Sequence, residues 1–434
     1  GTANVAPTAA TALAAAVAII VLVGVAGCGG GSGDSDGNVT LRFSWWGNND
    51  RARTTQQVID DFHTAHPDIT VKGEYTDFNA YFDRLATATA AGDAPDVITL
   101  GGAYPREYGD RGALLDLSRV SGHLHTDDID RAALANGAFS GRQYGVPSGV
   151  NTYGVVVDPV AFQRAGLPLP DDATWTWDDF SRIAKALAAT APRGGYGCAD
   201  FMKPEVLGLY ARQRGQETYT VDGKVAFTDQ VPADLWAMTT ALRDAGAEPP
   251  ASVTADLDTQ PAPEQSLIGR GLAGMQFDWS NQLSALRKSS GHPLELRRAP
   301  GEHSGRQPGM WLQASQVYTI SARSKHPRQA AQLVDYLINS EAAGQRILLD
   351  RGIPANPRVR TAIAGALSAD QQAQVTFVQQ VAAGAGPALV VGPTGSTDLT
   401  DILRRLNAEV LFGRTTPQAA AAQLGKELRA AIKQ

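Results

Sequence analysis

The sequence predicts an α/β fold of two lobes, each built on a doubly wound, mainly parallel sheet. Strand-like and helix-like segments alternate over residues 39–100, an order typical of parallel strands joined by helices on both faces of a sheet. Roughly 395 residues follow the first 38, which is too many for one ordinary core and fits two. Hydrophobic residues make up 43% of the chain and charged residues 19%, so we expect a soluble globular protein.

The first segments show the periodicities on which this prediction depends. Val39–Trp46 alternates apolar and polar residues and ends in a continuous apolar run, which predicts a strand. After it come a turn over 47–50, a helix over 51–66, a strand over 69–75, a helix over 79–91 and a buried strand over 96–100. Such sheets bind ligands beyond the carboxyl ends of their strands. Trp46, Asn48, Asn49 and the segment after Leu100 are therefore candidate ligand contacts.

The later segments continue the alternation of strands and helices. The apolar run Tyr153–Val157 predicts a strand. Thr176 is predicted to cap a helix, because Asp178 and Asp179 in the first turn favour the helix dipole. Further predicted elements are strands over 272–277 and 316–321 and helices over 327–339, 340–349 and 416–433.

The N-terminal segment has the pattern of a secretion signal. An uncharged apolar run over 13–26 is shorter than the roughly 20 residues of a membrane-spanning helix and fits the hydrophobic region of a signal peptide. It ends in Val25–Cys28, which resembles the bacterial lipobox, whose cysteine is lipidated. We predict a lipoprotein signal over 1–28 and a flexible, Gly/Ser/Asp-rich tether over 29–38. The alternative is an ordinary signal peptide with a chance cysteine.

Charge, cysteine and histidine usage exclude several classes of function. The formal net charge is −6 without a long basic run, which argues against nucleic acid as a partner. If Cys28 is lipidated, Cys198 has no partner in the chain, and a buried cysteine is favoured over a reactive thiol. His63 and His66 have metal-like spacing, but without a third ligand a solvated helix face explains them better. We expect no metal and no cofactor.

A series of short motifs resembles one protein family. The motifs are Phe43–Gly47, Gly92–Val97, Arg111–Leu117, Tyr144–Pro147, Ala165–Leu167 with Thr176–Asp178, Gly271–Met275 and Arg351–Asn356. In this order, and over nearly the whole chain from residue 39, they resemble the bacterial extracellular solute-binding family of maltose-binding-protein-like sugar receptors. The chain departs from that family over 98–102, where relatives often carry an aromatic or acidic residue.

The resemblance implies two lobes that bind ligand in the cleft between them and close around it by a hinge motion. It implies a first lobe of 39–147 and 278–321 and a second lobe of 148–277 and 322–434. We place the crossings between the lobes near 147–150, 276–278 and 320–323.

Aromatic and polar residues near these strand ends and crossings form the candidate site. Sugars offer apolar C–H faces that stack on aromatic rings, and hydroxyls that need paired donors and acceptors. The candidates are Trp46, Asn48, Asn49, Tyr104, Ser148, Asn151, Asp278, Trp279, Trp311, Asp350 and Arg351. Some alternatives are open: Trp45 and Trp46 are adjacent, so one of them belongs to the core, and Asp350 with Arg351 fits a plain surface ion pair.

These observations predict a binding protein without catalytic activity. We expect the substrate-binding component of an ABC importer, which delivers a mono- or oligosaccharide to a membrane permease. It would be monomeric and anchored by lipid to the outer face of the bacterial cell membrane. The alternatives are a receptor for a polyol, glycerophosphodiester or peptide, and a secreted glycoside hydrolase, which needs two carboxylates about 5–9.5 Å apart.

Overall fold

The computed structural model describes residues 37–259 and 262–434, and Asn38–Gln434 forms one compact unit. Within this unit a five-stranded and a four-stranded sheet, with helices packed around them, form the two lobes of the predicted α/β fold. A third sheet has only two short strands. The predicted signal peptide, its Cys28 and most of the tether lie outside the described residues.

The strands agree with the sequence prediction where the apolar pattern is long. They are β1 Val39–Trp46, β2 Ile69–Thr76, β3 Val97–Leu100, β4 Ala138–Phe139, β5 Arg142–Gln143, β6 Gly145–Asn151, β7 Tyr153–Val157, β8 Tyr196–Cys198, β9 Ala273–Trp279, β10 Glu295–Arg297 and β11 Gln313–Ile320. β4, β5, β6, β8 and β10 were not predicted. β6 contains a proline and two glycines, and the other four are two or three residues long, so none of them has a readable periodicity.

Helices connect and cover these strands. They are α1 Asn49–Ala65, α2 Phe78–Ala90, α3 Tyr104–Asp110, α4 Arg131–Leu134, α5 Pro159–Ala165, α6 Trp177–Ala189, α7 Pro204–Gln213, α8 Gln230–Asp244, α9 Ala251–Asp258, α10 Leu283–Ser290, α11 Pro327–Asn339, α12 Glu341–Ile347, α13 Pro357–Ile363, α14 Ala369–Gly384, α15 Leu399–Leu411 and α16 Pro417–Ala431. The predicted cap of α6 is present: the Thr176 hydroxyl accepts from the N–H of Asp179, whose carboxylate accepts from the N–H of Thr176.

The first sheet has the strand order β2-β1-β3-β11-β6. β1 is parallel to β2 and β3, and β11 is antiparallel to β3 and β6. The residues Leu41, Phe43 and Trp45 of β1 are at most 2% exposed, so one face of the strand packs into the core. The doubly wound prediction is therefore correct for the β2-β1-β3 half of this sheet.

The second sheet has the order β10-β7-β9-β8 and is mainly antiparallel. Only β8 and β9 are parallel, whereas β7 is antiparallel to both β9 and β10. The expectation of a mainly parallel sheet is thus wrong for this lobe. All residues of β7 are buried. A continuous apolar run indicates that both faces of a strand are buried, but it does not indicate whether the strand is parallel or antiparallel to its neighbours.

The first passage between the sheets lies close to its predicted place. β6 belongs to the first sheet and β7 to the second, and only Thr152 separates them. The predicted crossing near 147–150 is therefore shifted by a few residues. The short linker brings the ends of both sheets together around Asn151–Tyr153.

The other two predicted crossings, and the lobe boundaries that depend on them, are corrected by the strand pairing. β9 and β10 both belong to the second sheet, so the chain returns to the first sheet over 298–312 and not at 276–278. After β11, α11 packs on β1, β6 and β11, and α12 packs on α1. The third crossing therefore lies over 364–368, before α14 packs on α10 and β10, and not at 320–323.

Candidate functional site

A pocket of the second lobe lies at the carboxyl ends of the two parallel strands β8 and β9. Its volume is about 300 Å³. The residues that form its wall include Tyr153, Asp200, Lys203, Glu205, Thr254, Asp258, Gln276, Asp278, Trp279 and Gln282. Two of the residues predicted from the sequence, Asp278 and Trp279, therefore line the same pocket.

Asp278 and Trp279 reach the pocket because they lie at the less buried end of β9. Its first five residues are buried and the last two, Asp278 and Trp279, are only partly buried. The ring of Trp279 meets Tyr153 edge to face, with centroids 5.1 Å apart, and Trp311 at 6.1 Å. These neighbours fix the orientation of the indole while it remains at the pocket.

Burial controls the electrostatics of the pocket. It raises the pKa of Asp278, although the N–H of Trp279 at 2.8 Å and the amide of Gln276 at 3.3 Å stabilise the charged form. Burial also raises the pKa of Glu205. Burial alone would lower the pKa of Lys203, but Asp200 and Asp258 outweigh it and raise that pKa. Lys203 Nζ lies 2.9 Å from an Asp258 oxygen.

A second cavity, of about 200 Å³, is lined by both lobes. The first lobe contributes Arg51, Asn151, Ser315, Gln316 and the segment Leu349–Ile353, and the second contributes Asn281 and Gln374. Asn151, one of the predicted residues, lies at the end of β6 where the chain crosses between the lobes. Amide and charged groups dominate this wall, which suits the hydrogen bonding of a polar ligand.

Arg351 does not present its guanidinium to this cavity, which corrects the sequence prediction. The residue is 2% exposed. Its guanidinium donates to the hydroxyls of Tyr318 and Thr55, both at 2.7 Å, and lies 5.9 Å from the ring of Trp45. Arg351 is therefore part of the first-lobe core, and its main-chain carbonyl accepts from Ser148 and Ser315.

Several other predicted residues have structural partners. Asn48 caps α1 by accepting from the N–H of Arg51 at 2.9 Å. Asn49 accepts from the Tyr75 hydroxyl at 2.9 Å, and Asp350 pairs with Arg51 at 2.9 Å.

Ser148 and Trp311 also have internal partners. The hydroxyl of Ser148 donates to the carbonyls of Gln316 and Arg351 at 3.2 and 3.3 Å. Trp311 is 1% exposed, donates to Gln313 at 2.9 Å and lies edge to face with Trp279. The ring of this predicted ligand contact is therefore buried and lies next to the pocket residue Trp279.

Trp46 and Tyr104 belong to an aromatic patch of the first lobe. Trp46 is partly buried and lies edge to face with Phe78 at 5.4 Å, and Tyr104 stacks on Phe82 at 3.8 Å. Phe78 is 50% exposed. The adjacent Trp45 is buried at 2%, so the expectation that one of the two tryptophans belongs to the core is met by Trp45.

These lobes, with a pocket at the strand ends and a cavity between them, match a known family. The model of the bacterial extracellular solute-binding proteins matches residues 46–344. The chain belongs to this family. Over 319 residues it is 27% identical to an uncharacterised lipoprotein of Streptomyces antibioticus, covering 70% of this chain and 68% of that protein.

Solved structures of this solute-binding family have the same fold. A family 1 extracellular solute-binding protein of Alicyclobacillus acidocaldarius is similar with a TM-score of 0.81 at 29% identity, covering 92% of this chain and 100% of that one. A periplasmic oligogalacturonide-binding protein of Yersinia enterocolitica is similar with a TM-score of 0.80 at 21% identity, covering 91% and 100%.

Hydrogen bonds from Arg106 connect the two lobes of this solute-binding protein. Arg106 of α3, in the first lobe, donates to the carbonyl of Val221 at 2.8 Å and to that of Val391. Both carbonyls belong to loops of the second lobe, and the Val391 side chain packs against the aromatic cluster that includes Tyr81. These contacts join the lobes far in sequence from the three crossings.

Sequence reasoning missed part of the second-lobe pocket of this solute-binding protein. Asp200, Lys203 and Glu205 follow β8, which was not predicted because Gly197 interrupts its pattern. A Cβ at Gly197 would lie 1.7 Å from the carbonyl oxygen of Ala184, so glycine allows α6 to approach the strand closely. In the first lobe, the exposed Phe78 has a sequence signal, because it directly follows Asp77, which caps the helix after β2.

None of the helices over residues 37–259 and 262–434 combines the length and the apolar character of a membrane span. No group of three or more His, Cys, Asp or Glu side chains in these residues is placed to bind a metal ion. Cys198 is buried, as predicted, and burial raises the pKa of its thiol.

Proposed function

We propose that this protein is the extracytoplasmic substrate-binding component of an ABC importer and that it binds a mono- or oligosaccharide between its lobes for delivery to a membrane permease. One observation carries the sugar assignment: an aromatic residue, Trp279, and a carboxylate residue, Asp278, line the same pocket. The ring can cover the C–H face of a sugar while the carboxylate accepts from its hydroxyls.

The surroundings of this pair support the same ligand class. Glu205 and Gln276 add further acceptors and donors to the pocket, and buried polar groups of this kind strengthen hydrogen bonds because water competes less. The cavity lined by both lobes adds Asn151, Asn281 and Gln374. A ligand that contacts both lobes favours the closed form over the open one. The fold likeness to an oligogalacturonide-binding protein agrees with a carbohydrate ligand.

A thermal-shift screen tests this function. We expect at least one compound from a panel of neutral, acidic and amino mono- and oligosaccharides to raise the melting temperature of the ligand-free protein. A ligand at 100 times its Kd adds about 2.7 kcal/mol to the free energy of unfolding, because it binds only the folded state. Mannitol, glycerophosphodiesters and peptides in the same screen represent the other solutes. A shift with these and none with any sugar would overturn the sugar assignment.

A second experiment addresses the hydrolase alternative. Incubation with the oligosaccharides that bind should return them intact, since the family of this chain consists of binding proteins. Release of shorter products, separated by chromatography, would establish a glycoside hydrolase instead. The carboxylates of the pocket would then be the first residues to substitute.

The lipid anchor is part of this proposal and rests on Val25–Cys28 at the end of an apolar run. We expect Cys28→Ser to release the protein from the membrane fraction of a bacterial host, because the acyl chains have no other attachment point there. Cys198→Ser is the matched control: Cys198 is buried, so this variant should stay in the membrane fraction. A Cys28→Ser protein that remains membrane-bound after a high-salt wash would contradict the anchor.

A further inference from the structure

The second-lobe pocket carries an excess of carboxylates. Asp200, Glu205, Asp258 and Asp278 lie on its wall, and Lys203 is the only cationic side chain among the described residues of that wall. Lys203 is already paired with Asp258 at 2.9 Å. The remaining three carboxylates have no arginine or lysine ion-pair partner among the described residues.

The hydrogen bonds to these carboxylates come from neutral donors. One oxygen of Asp200 accepts from the amide of Asn407 at 3.0 Å and from the N–H of Met202 at 3.3 Å, and the other is buried without a hydrogen-bond partner among the described residues. Asp278 accepts from Gln276 and from the N–H of Trp279. Neutral donors satisfy lone pairs but carry no positive charge, so Lys203, whose charge favours the ionised forms of Glu205 and Asp278, is left to offset four carboxylates.

A buried hydroxyl on the same wall is also without a partner. Thr254 of α9 is 3% exposed, and its Oγ1 has no hydrogen-bond partner in the described part of the chain. An unpaired buried hydroxyl is costly unless another group satisfies it. A ligand rich in hydroxyls can supply such a group.

We infer that this pocket selects its ligand by charge, accepting neutral and amino-bearing sugars and excluding uronates and sugar phosphates. This inference rests on the proposed function. Carboxylates accept hydrogen bonds and donate none when ionised, so hydroxyl and ammonium groups of a ligand fit them. A ligand carboxylate or phosphate would instead add a like charge at short range in a partly buried site, where solvent screening is weak.

The inference distinguishes this chain from a protein with the same fold. The Yersinia enterocolitica protein binds oligogalacturonides by its description, and such ligands are polyanions. Asp278 and Glu205 would repel ligands of that kind. Two proteins of one fold would thus differ in the charge of the ligand that they accept.

Binding of charge-matched sugars tests the inference. For each of the gluco, galacto and manno ring configurations, calorimetry compares the 1,4-linked disaccharide in its neutral, 2-amino and uronate forms. We expect the neutral or amino form of the best-binding configuration to bind at least about 10-fold more tightly than the uronate. A uronate that binds equally or more tightly would overturn charge selection while the sugar-binding function stands. Binding of no sugar in any form would overturn the proposed function itself.

A variant assigns the selection to this pocket. Glu205→Gln keeps the size of the side chain and removes one negative charge, so the ratio of neutral to uronate affinity should fall by about fivefold or more. Asp244→Asn is the control, because Asp244 is an exposed carboxylate at the end of α8 in the same lobe, and its ratio should equal that of the wild type. Equal ratios in both variants would overturn the assignment to this pocket.

Discussion

Trp279→Ala is expected to weaken sugar binding by roughly 30-fold or more. Loss of a packed aromatic anchor typically costs about 2 kcal/mol or more in a binding site, and 1.4 kcal/mol corresponds to a factor of ten in affinity. The indole is held between Tyr153 and Trp311 at one edge of the pocket, so its position is set before ligand arrives. Calorimetry with the best sugar of the thermal-shift panel measures the effect.

Two further variants separate stacking from loss of structure. Trp279→Phe keeps an aromatic face and should recover most of the affinity. Phe412→Ala removes an aromatic side chain that is 45% exposed on the second lobe and should bind sugar like the wild type. Wild-type affinity in Trp279→Ala would contradict the site, whereas a collapsed melting temperature of its ligand-free form would show that the ring is needed for folding.

Arg351→Leu is expected to lower the free energy of unfolding by about 2–4 kcal/mol, as measured by urea denaturation of the ligand-free protein. The substitution leaves the buried hydroxyls of Tyr318 and Thr55 without their donor, and an unsatisfied buried polar group costs about 1–3 kcal/mol. It also removes the contact between the guanidinium and the ring of Trp45.

Arg53→Leu is the matched control for this prediction. The side chain of Arg53 is 72% exposed on α1, and exposed substitutions usually change stability by less than about 0.5 kcal/mol. Unchanged stability of Arg351→Leu together with lost sugar affinity would instead show that Arg351 contacts the ligand, as the sequence predicted.

The sequence was sufficient for elements whose apolar pattern is long and uninterrupted. β1, β7 and α11 begin and end at the predicted residues, and the Thr176 cap of α6 is present. The periodicity of these segments shows which face is buried, because apolar residues alternate along a half-buried strand and recur every three to four residues along a helix. The order of strands and helices over the first hundred residues followed from the same patterns.

The lobe boundaries depended on contacts that periodicity does not report. β10 pairs with β7 although more than a hundred residues separate them, and α11 packs on the first sheet. Neither of these contacts can be read from the local sequence pattern of the segments involved. Local periodicity also does not show where two backbones approach closely. A Cβ at Gly149 would lie 2.3 Å from the Arg351 carbonyl oxygen, because the segment after α12 packs against β6.

The sequence by itself determined the family, and it placed Asp278 and Trp279 at the end of an apolar strand, where both residues line one pocket. Only the tertiary structure decided which polar side chains face the cavities. Asp350 and Arg351 are adjacent, yet the first pairs with Arg51 at a cavity wall and the second turns into the core. The physical reason is that a polar residue is satisfied equally well by water, ligand or a buried hydroxyl, and only folding brings Tyr318 and Thr55 within reach of the guanidinium.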